Sequence, residues 1–117
     1  MNEKYLNKLT KLLLVRPRLA TTYRLEFKSC FGAVAGYLNN RIFVSCGRFG
    51  IALKLPPTVA AELLKERGCK PLKYFPNGHV KKDYVVLSKW TLKNKGSFMK
   101  LLDKSIKHVC LSRGNLA

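Results

Sequence analysis

Acidic residues are scarce in this chain: six Asp and Glu stand against 23 Lys and Arg in 117 residues, for a formal charge of +17. The acids are spread singly along the sequence, so no pair of carboxylates is placed for general acid–base work. Long apolar runs are also missing. Nothing approaches the length needed to span a bilayer, and Leu12 to Val15 is too short for a signal-peptide core and runs into Arg16-Pro17-Arg18. The four cysteines, at 30, 46, 69 and 110, form no C-x-x-C pair and no tight cluster. With only His79 and His108 besides, no local spacing suits a metal ion, and the thiols read as reduced, partly buried side chains of a cytoplasmic protein. A Cys–His nucleophile built from Cys30 or Cys69 with His79 would need the fold to bring distant segments together. Gly32 and Gly36 precede no strand-to-helix junction, so they form no phosphate-cradling loop. The expectation is a non-enzymatic protein with no catalytic site, metal, cofactor or small-molecule substrate.

What is present is one globular core's worth of apolar sequence. A hydrophobic content of 47% over this length fits a single folded domain, residues 1–117. The positive charge is not a tail added to a neutral body. Residues 1–58 carry ten basic and two acidic groups, or +8, and residues 59–117 carry thirteen and four, or +9. Such an excess favours polyanionic partners such as nucleic acid or anionic lipid. A merely well-solvated surface in a basic proteome would show the same excess, and composition does not separate the two.

The periodicity gives an α+β order. Residues 3–14 read as a helix, with Tyr5, Leu6, Leu9, Leu12 and Leu13 on one face, stopped by Pro17. From Tyr23 the period becomes two, with Leu25 and Phe27 alternating with polar residues. Phe31 to Leu38 reads as a continuing extended run whose small residues Gly32, Ala33, Ala35 and Gly36 suggest a bulge or a close backbone approach. Asn39-Asn40 supplies a tight turn. Ile42, Val44 and Cys46 share one face of the next strand, Gly47-Arg48 turns the chain, and Phe49, Ile51, Leu53 and Leu55 alternate in a third. Pro56-Pro57 opens a helix with Val59, Ala60, Leu63 and Leu64 as its apolar stripe and Gly68 as its C-cap. Leu72 to Phe75 is a short extended segment, Pro76-Asn77-Gly78 a turn, and Val80 to Leu87 the last strand. Ser97 is placed to cap a final helix lined by Phe98, Leu101, Leu102, Ile106 and Val109. His108 falls in its last turn, where the helix dipole favours a cation.

The run from Leu25 to about Val109 resembles the N-terminal domain of the TfoX family of bacterial competence regulators. The residues that carry the likeness are Lys28-Ser29-Cys30-Phe31-Gly32-Ala33, Gly36-Tyr37-Leu38, Arg41-Ile42-Phe43, Leu53-Lys54-Leu55-Pro56 and Lys82-Asp83-Tyr84-Val85-Val86-Leu87. Cys30 stands where the family has Met, and Ala33 where it has a second Gly. Longer members carry a C-terminal helical domain; here the chain ends at Ala117. The resemblance implies an antiparallel β-meander packed with N-terminal, middle and C-terminal helices, similar to secretion-chaperone domains. It implies a regulatory or accessory role in transcription control, through a protein partner, a homodimer or nucleic acid.

Two lysine rows give the last possibility a physical form. Lys4, Lys8 and Lys11 on the first helix and Lys100, Lys104 and Lys107 on the last repeat one spacing of i, i+4 and i+7. Each row could track a phosphate backbone, with Arg16, Arg18, Lys81 and Lys82 extending the footprint. Any amphipathic helix must also put something charged outside, and lysine is a common choice. The alternative to the regulatory module is therefore a small basic protein that binds nucleic-acid backbones without sequence preference. Clustering of the two rows on one surface would favour this alternative; an exposed apolar groove or sheet edge would favour a protein partner. Among the aromatics, Phe31, Tyr37, Phe43, Phe49, Tyr84 and Trp90 read as core rather than as a base-stacking surface.

Overall fold

The computed structural model describes residues 1–111. The elements are α1 (Glu3–Leu13), α2 (Leu19–Thr22), β1 (Leu25–Cys30), β2 (Ala33–Leu38), β3 (Arg41–Gly47), β4 (Gly50–Lys54), α3 (Pro57–Leu63), β5 (Lys70–Leu72), β6 (Lys81–Val86), α4 (Lys89–Lys93) and α5 (Lys95–Leu111). The six strands form one antiparallel sheet in the order β1-β2-β3-β4-β6-β5. The first four strands are the expected meander, and α3 separates them from the β5–β6 pair. The fold is the α+β arrangement that the periodicity implies, with N-terminal, middle and C-terminal helices.

One face of the sheet carries the main core. Val34 and Leu38 of β2, Val44 and Cys46 of β3, Ile51 and Leu53 of β4 and Val85 of β6 meet Leu9 and Leu13 of α1, Ala60 and Leu63 of α3, and Phe98, Leu102, Ile106 and Val109 of α5. Alternation along each strand delivers these side chains to one side, and the 3.6-residue period of the helices delivers the matching stripes. Phe43 and Phe98 are fully buried there; truncating either to Ala would cost about 3–5 kcal/mol. Ser105 is the polar exception inside the stripe of α5, and its hydroxyl donates to the Phe43 carbonyl at 3.1 Å.

That carbonyl belongs to a bulge. Pairing between β2 and β3 shifts between Gly36 and Tyr37, so Phe43 is an extra residue in β3. Gly36 is what allows it: a Cβ there would lie 2.7 Å from Val44 Cγ1 and 3.2 Å from Phe43 Cε1. Of the two expectations for the run of small residues, the bulge is the one observed, and the atoms that crowd Gly36 belong to side chains, not to another backbone. The bulge also corrects the alternation, because it sends Ile42 to the opposite face from Val44 and Cys46.

Other local expectations are corrected by turn and cap chemistry. Phe31 to Leu38 is not one extended run: Phe31 and Gly32 are a two-residue hairpin turn with φ of 49° and 81°. Asn39 and Asn40, with φ of 50° and 68°, make the second such turn as anticipated, and Asn39 Oδ1 accepts a bond from the Arg24 N–H. The third turn is Arg48-Phe49, between paired Gly47 and Gly50, so Phe49 leaves the phase of Ile51 and Leu53. Helix α3 ends at Leu63 with Leu64 as its cap, four residues short of Gly68. Gly68 (φ 86°) instead ends the string of tight turns that follows. Strand β5 begins two residues before the expected extended segment and ends on its first residue, Leu72, leaving Tyr74 and Phe75 outside it. Asn94, not Ser97, caps α5: its Oδ1 accepts from the Ser97 N–H at 3.0 Å. The short helices α2 and α4 were not visible as periodicity, being about one turn each; Ser88 caps α4 by accepting from the Thr91 N–H.

Candidate nucleic-acid interface

Helices α1 and α5 lie on the same face of the sheet, since the buried stripes of both enter the main core. At 100° per residue, Lys4 and Lys11 fall opposite Leu9 and Leu13, and Lys100, Lys104 and Lys107 fall opposite Leu102 and Val109. All five are exposed, as is Lys8 on the flank of α1. Lys8 and Lys11 line a shallow groove with Lys95 and Phe98, and Arg16 reaches Asp103 farther along. The two rows thus share the outer surface of one helix layer. Lys95, at the first turn of α5, is exposed in that groove rather than on the outer surface, on the side of α5 that carries Leu102, and it lies out of the i, i+4, i+7 phase.

Four further basic residues were expected to extend this footprint, and they fare differently. Arg16 holds Asp103 in a bidentate bond, Nε–Oδ1 2.7 Å and Nη2–Oδ2 2.5 Å. The guanidinium bonded to it lowers the Asp103 carboxyl below its ordinary pKa, so the carboxyl is ionised at neutral pH. Part of the positive charge of Arg16 is therefore already matched. Arg18 lines the same cleft beside Asp103 and is exposed. Lys81 and Lys82 begin β6 and sit on the sheet, not on the helix layer.

The second face of the sheet carries a smaller cluster of Ala52, Leu72, Tyr84 and Val86, with Ile42, Phe49 and Tyr74 packed on it. After β5, at one edge of the sheet, the chain crosses this face toward β3. There Tyr74 Oη lies 2.9 Å from Ser45 Oγ, which is fully buried. Tyr74 is also the hub of an aromatic group. Its ring centroid is 5.5 Å from Phe31 and 5.7 Å from Phe49, and Phe31 is 5.4 Å from Phe75. These tilted and edge-on contacts are the favoured geometries for aromatic pairs. Burial pushes the Tyr74 phenol up to about 12, against the lowering effect of the Ser45 bond and with a raising contribution from Cys30. Burial raises Tyr84 and Tyr37 as well. All three rings are uncharged at neutral pH.

Phe31 and Phe75 were expected, respectively, in the core and in an extended segment, yet they are 64% and 52% exposed. Phe31 also holds a left-handed backbone, which costs an L-residue about 1–2 kcal/mol. The hairpin needs positive φ at that position, and the ring contacts with Tyr74 and Phe75 offset the strain. A groove of about 720 Å³ opens between these rings, with Arg48 and Lys73 on its wall and Asn2 and Tyr5 of α1 at one end. Farther along the same face, Lys28 Nζ stands 4.8 Å from the Tyr37 ring centroid and Lys54 Nζ 5.7 Å from that of Tyr84. Sequence reading missed this constellation because Tyr74 and Phe75 follow a three-residue strand and carry no periodicity. The available signal was the hairpin dipeptide Phe31-Gly32 with Tyr74-Phe75 before Pro76.

The remaining candidate chemistry stays dispersed. Among the described residues no three His, Cys, Asp or Glu side chains gather into a set that could hold a metal ion. Cys46 and Cys110 are thiols whose pKa burial raises. His108 is held below its ordinary pKa, first by burial and then by Lys54 and Arg41, against an opposing pull from Asp83. The cation expected at this helix end is thus disfavoured, chiefly by burial. No helix among the described residues is long and apolar enough to cross a membrane. No protein-family model matches the chain, and comparison with curated proteins finds no match.

Proposed function

We propose that this protein is a non-enzymatic accessory module, similar to the TfoX N-terminal domain, that binds nucleic acid through phosphate contacts and acts in transcription control. The observation that carries the reading is that α1 and α5 pack on the same sheet face with their lysine rows on the sides turned away from it. Acidic residues are nearly absent from these helices, and Asp103 is occupied by Arg16. A net charge of +17 supplies long-range attraction for a polyanion. Contacts of this kind give affinity without base reading and release counterions on binding. The apolar groove on the other sheet face supports a second reading, in which the module docks a protein partner or a second copy.

Fluorescence anisotropy with a labelled DNA duplex, titrated with salt, tests the first reading. If the six lysines of the rows each meet a phosphate, affinity falls roughly 10³-fold between 50 and 200 mM salt. Replacing Lys100, Lys104 and Lys107 together by Gln leaves three contacts and reduces that loss to about 40-fold. An unchanged salt slope in the triple variant, or no binding near physiological salt, sinks the reading and leaves the charge as solvation.

A further inference from the structure

We infer that the aromatic groove on the second sheet face is a base-stacking site for single-stranded nucleic acid. This rests on the phosphate-binding reading above and adds a class of ligand to it. Phe31 and Phe75 present ring surface to solvent, where the hydrophobic effect alone would bury them. They do not swing freely. Phe31 is fixed by a hairpin turn and by Tyr74, and Tyr74 is anchored through its hydroxyl to Ser45 at the floor of the sheet. Rigid rings with open faces suit bases, because every base has a π-face to stack and a preorganised ring loses little freedom on binding.

The charge on the groove selects the occupant. Arg48 and Lys73 stand on its wall, and among the described residues no Asp or Glu lines it. An apolar peptide would leave both cations without a counter-charge. A nucleotide chain satisfies rings and cations together, bases on the aromatics and phosphates on Arg48 and Lys73. Asn2 and Tyr5 at the start of α1 also line the groove, which brings the N-terminal end of that helix to it. A duplex keeps its bases stacked on each other, so the rings can engage only strands whose bases are splayed.

Fluorescence anisotropy at physiological salt with three labelled probes tests this: a 12-nucleotide mixed-sequence single strand, the same length of abasic strand, and the 12-base-pair duplex. The base-bearing strand is expected to bind more tightly than the abasic strand, whose phosphates are unchanged. Phe75→Ala is expected to lower the single-strand to duplex affinity ratio about five- to 150-fold, the range for loss of one base–aromatic stack. Phe31→Gly, which suits the positive φ of the turn, is expected to act in the same direction. Circular dichroism of each variant checks that it is folded, and the abasic comparison needs no variant at all. Equal affinity for base-bearing and abasic strands overturns the stacking site while leaving phosphate binding intact. Failure to bind any of the three probes overturns both, as does binding of an acidic peptide without affinity for any of them.

Discussion

The hydroxyl pair Ser45–Tyr74 is where the packing of the second sheet face can be weighed most directly. Ser45 is fully buried on β3, and the only hydrogen-bond partner of its hydroxyl among the described residues is Tyr74 Oη at 2.9 Å. Tyr74→Phe removes that partner while keeping the ring against Phe31 and Phe49. A buried hydroxyl stripped of its bond costs about 1–3 kcal/mol. Ser45→Ala removes one partner of the Tyr74 hydroxyl, but Tyr74 is only half-buried and keeps its hydrogen bond with Cys30. Its cost is closer to 0.5–1.5 kcal/mol, the net worth of an ordinary hydrogen bond. The double variant carries neither orphan, so it is expected to be less destabilised than the two single changes together, with a coupling of about 1 kcal/mol. Urea unfolding of the four proteins, with a common slope against denaturant, measures the cycle. Additive effects within about 0.3 kcal/mol would refute the reasoning, since the two groups would then not share a bond in solution. Such a result would also remove the anchor that holds Tyr74 under the exposed rings.

Two further outcomes follow from the same structure. Gly36→Ala places a methyl group 2.7 Å from Val44 Cγ1 at the β3 bulge and is expected to destabilise by about 1–3 kcal/mol through overpacking, read as a lower thermal midpoint; an unchanged midpoint would mean that the bulge relaxes freely. The Asp103 carboxyl is lowered by its bond to Arg16, so its stabilising contribution is complete above the ordinary value of 3.8 and is lost as pH falls through the lower folded value. Because the pair is solvent-exposed, Asp103→Asn is expected to cost no more than about 1 kcal/mol at pH 7, and the gap from wild type closes in acid. A gap that stays constant down to pH 2 would show that the pair does not act through ionisation.

Sequence alone determined the class of fold, because period-two and period-3.6 patterns are local properties of the chain. The strands around Phe27, Val44 and Leu53, the stripe of Phe98, Leu102 and Val109, and the Asn39-Asn40 turn were all legible on that ground. So were the lysine rows, since residues on one helix face are fixed by spacing. What spacing cannot give is where a second helix lies: that both rows share one surface was decided by α1 and α5 packing on the same sheet face. Nor can local pattern foresee a bulge that reverses the face of Ile42, or a crossing segment that carries Tyr74 from the sheet edge to Ser45. The groove of Phe31, Phe49, Tyr74 and Phe75 is assembled from three turns far apart in sequence. Its rings meet because the sheet order and the path of residues 73–76 are settled by burial over the whole chain, an energy that no single segment contains.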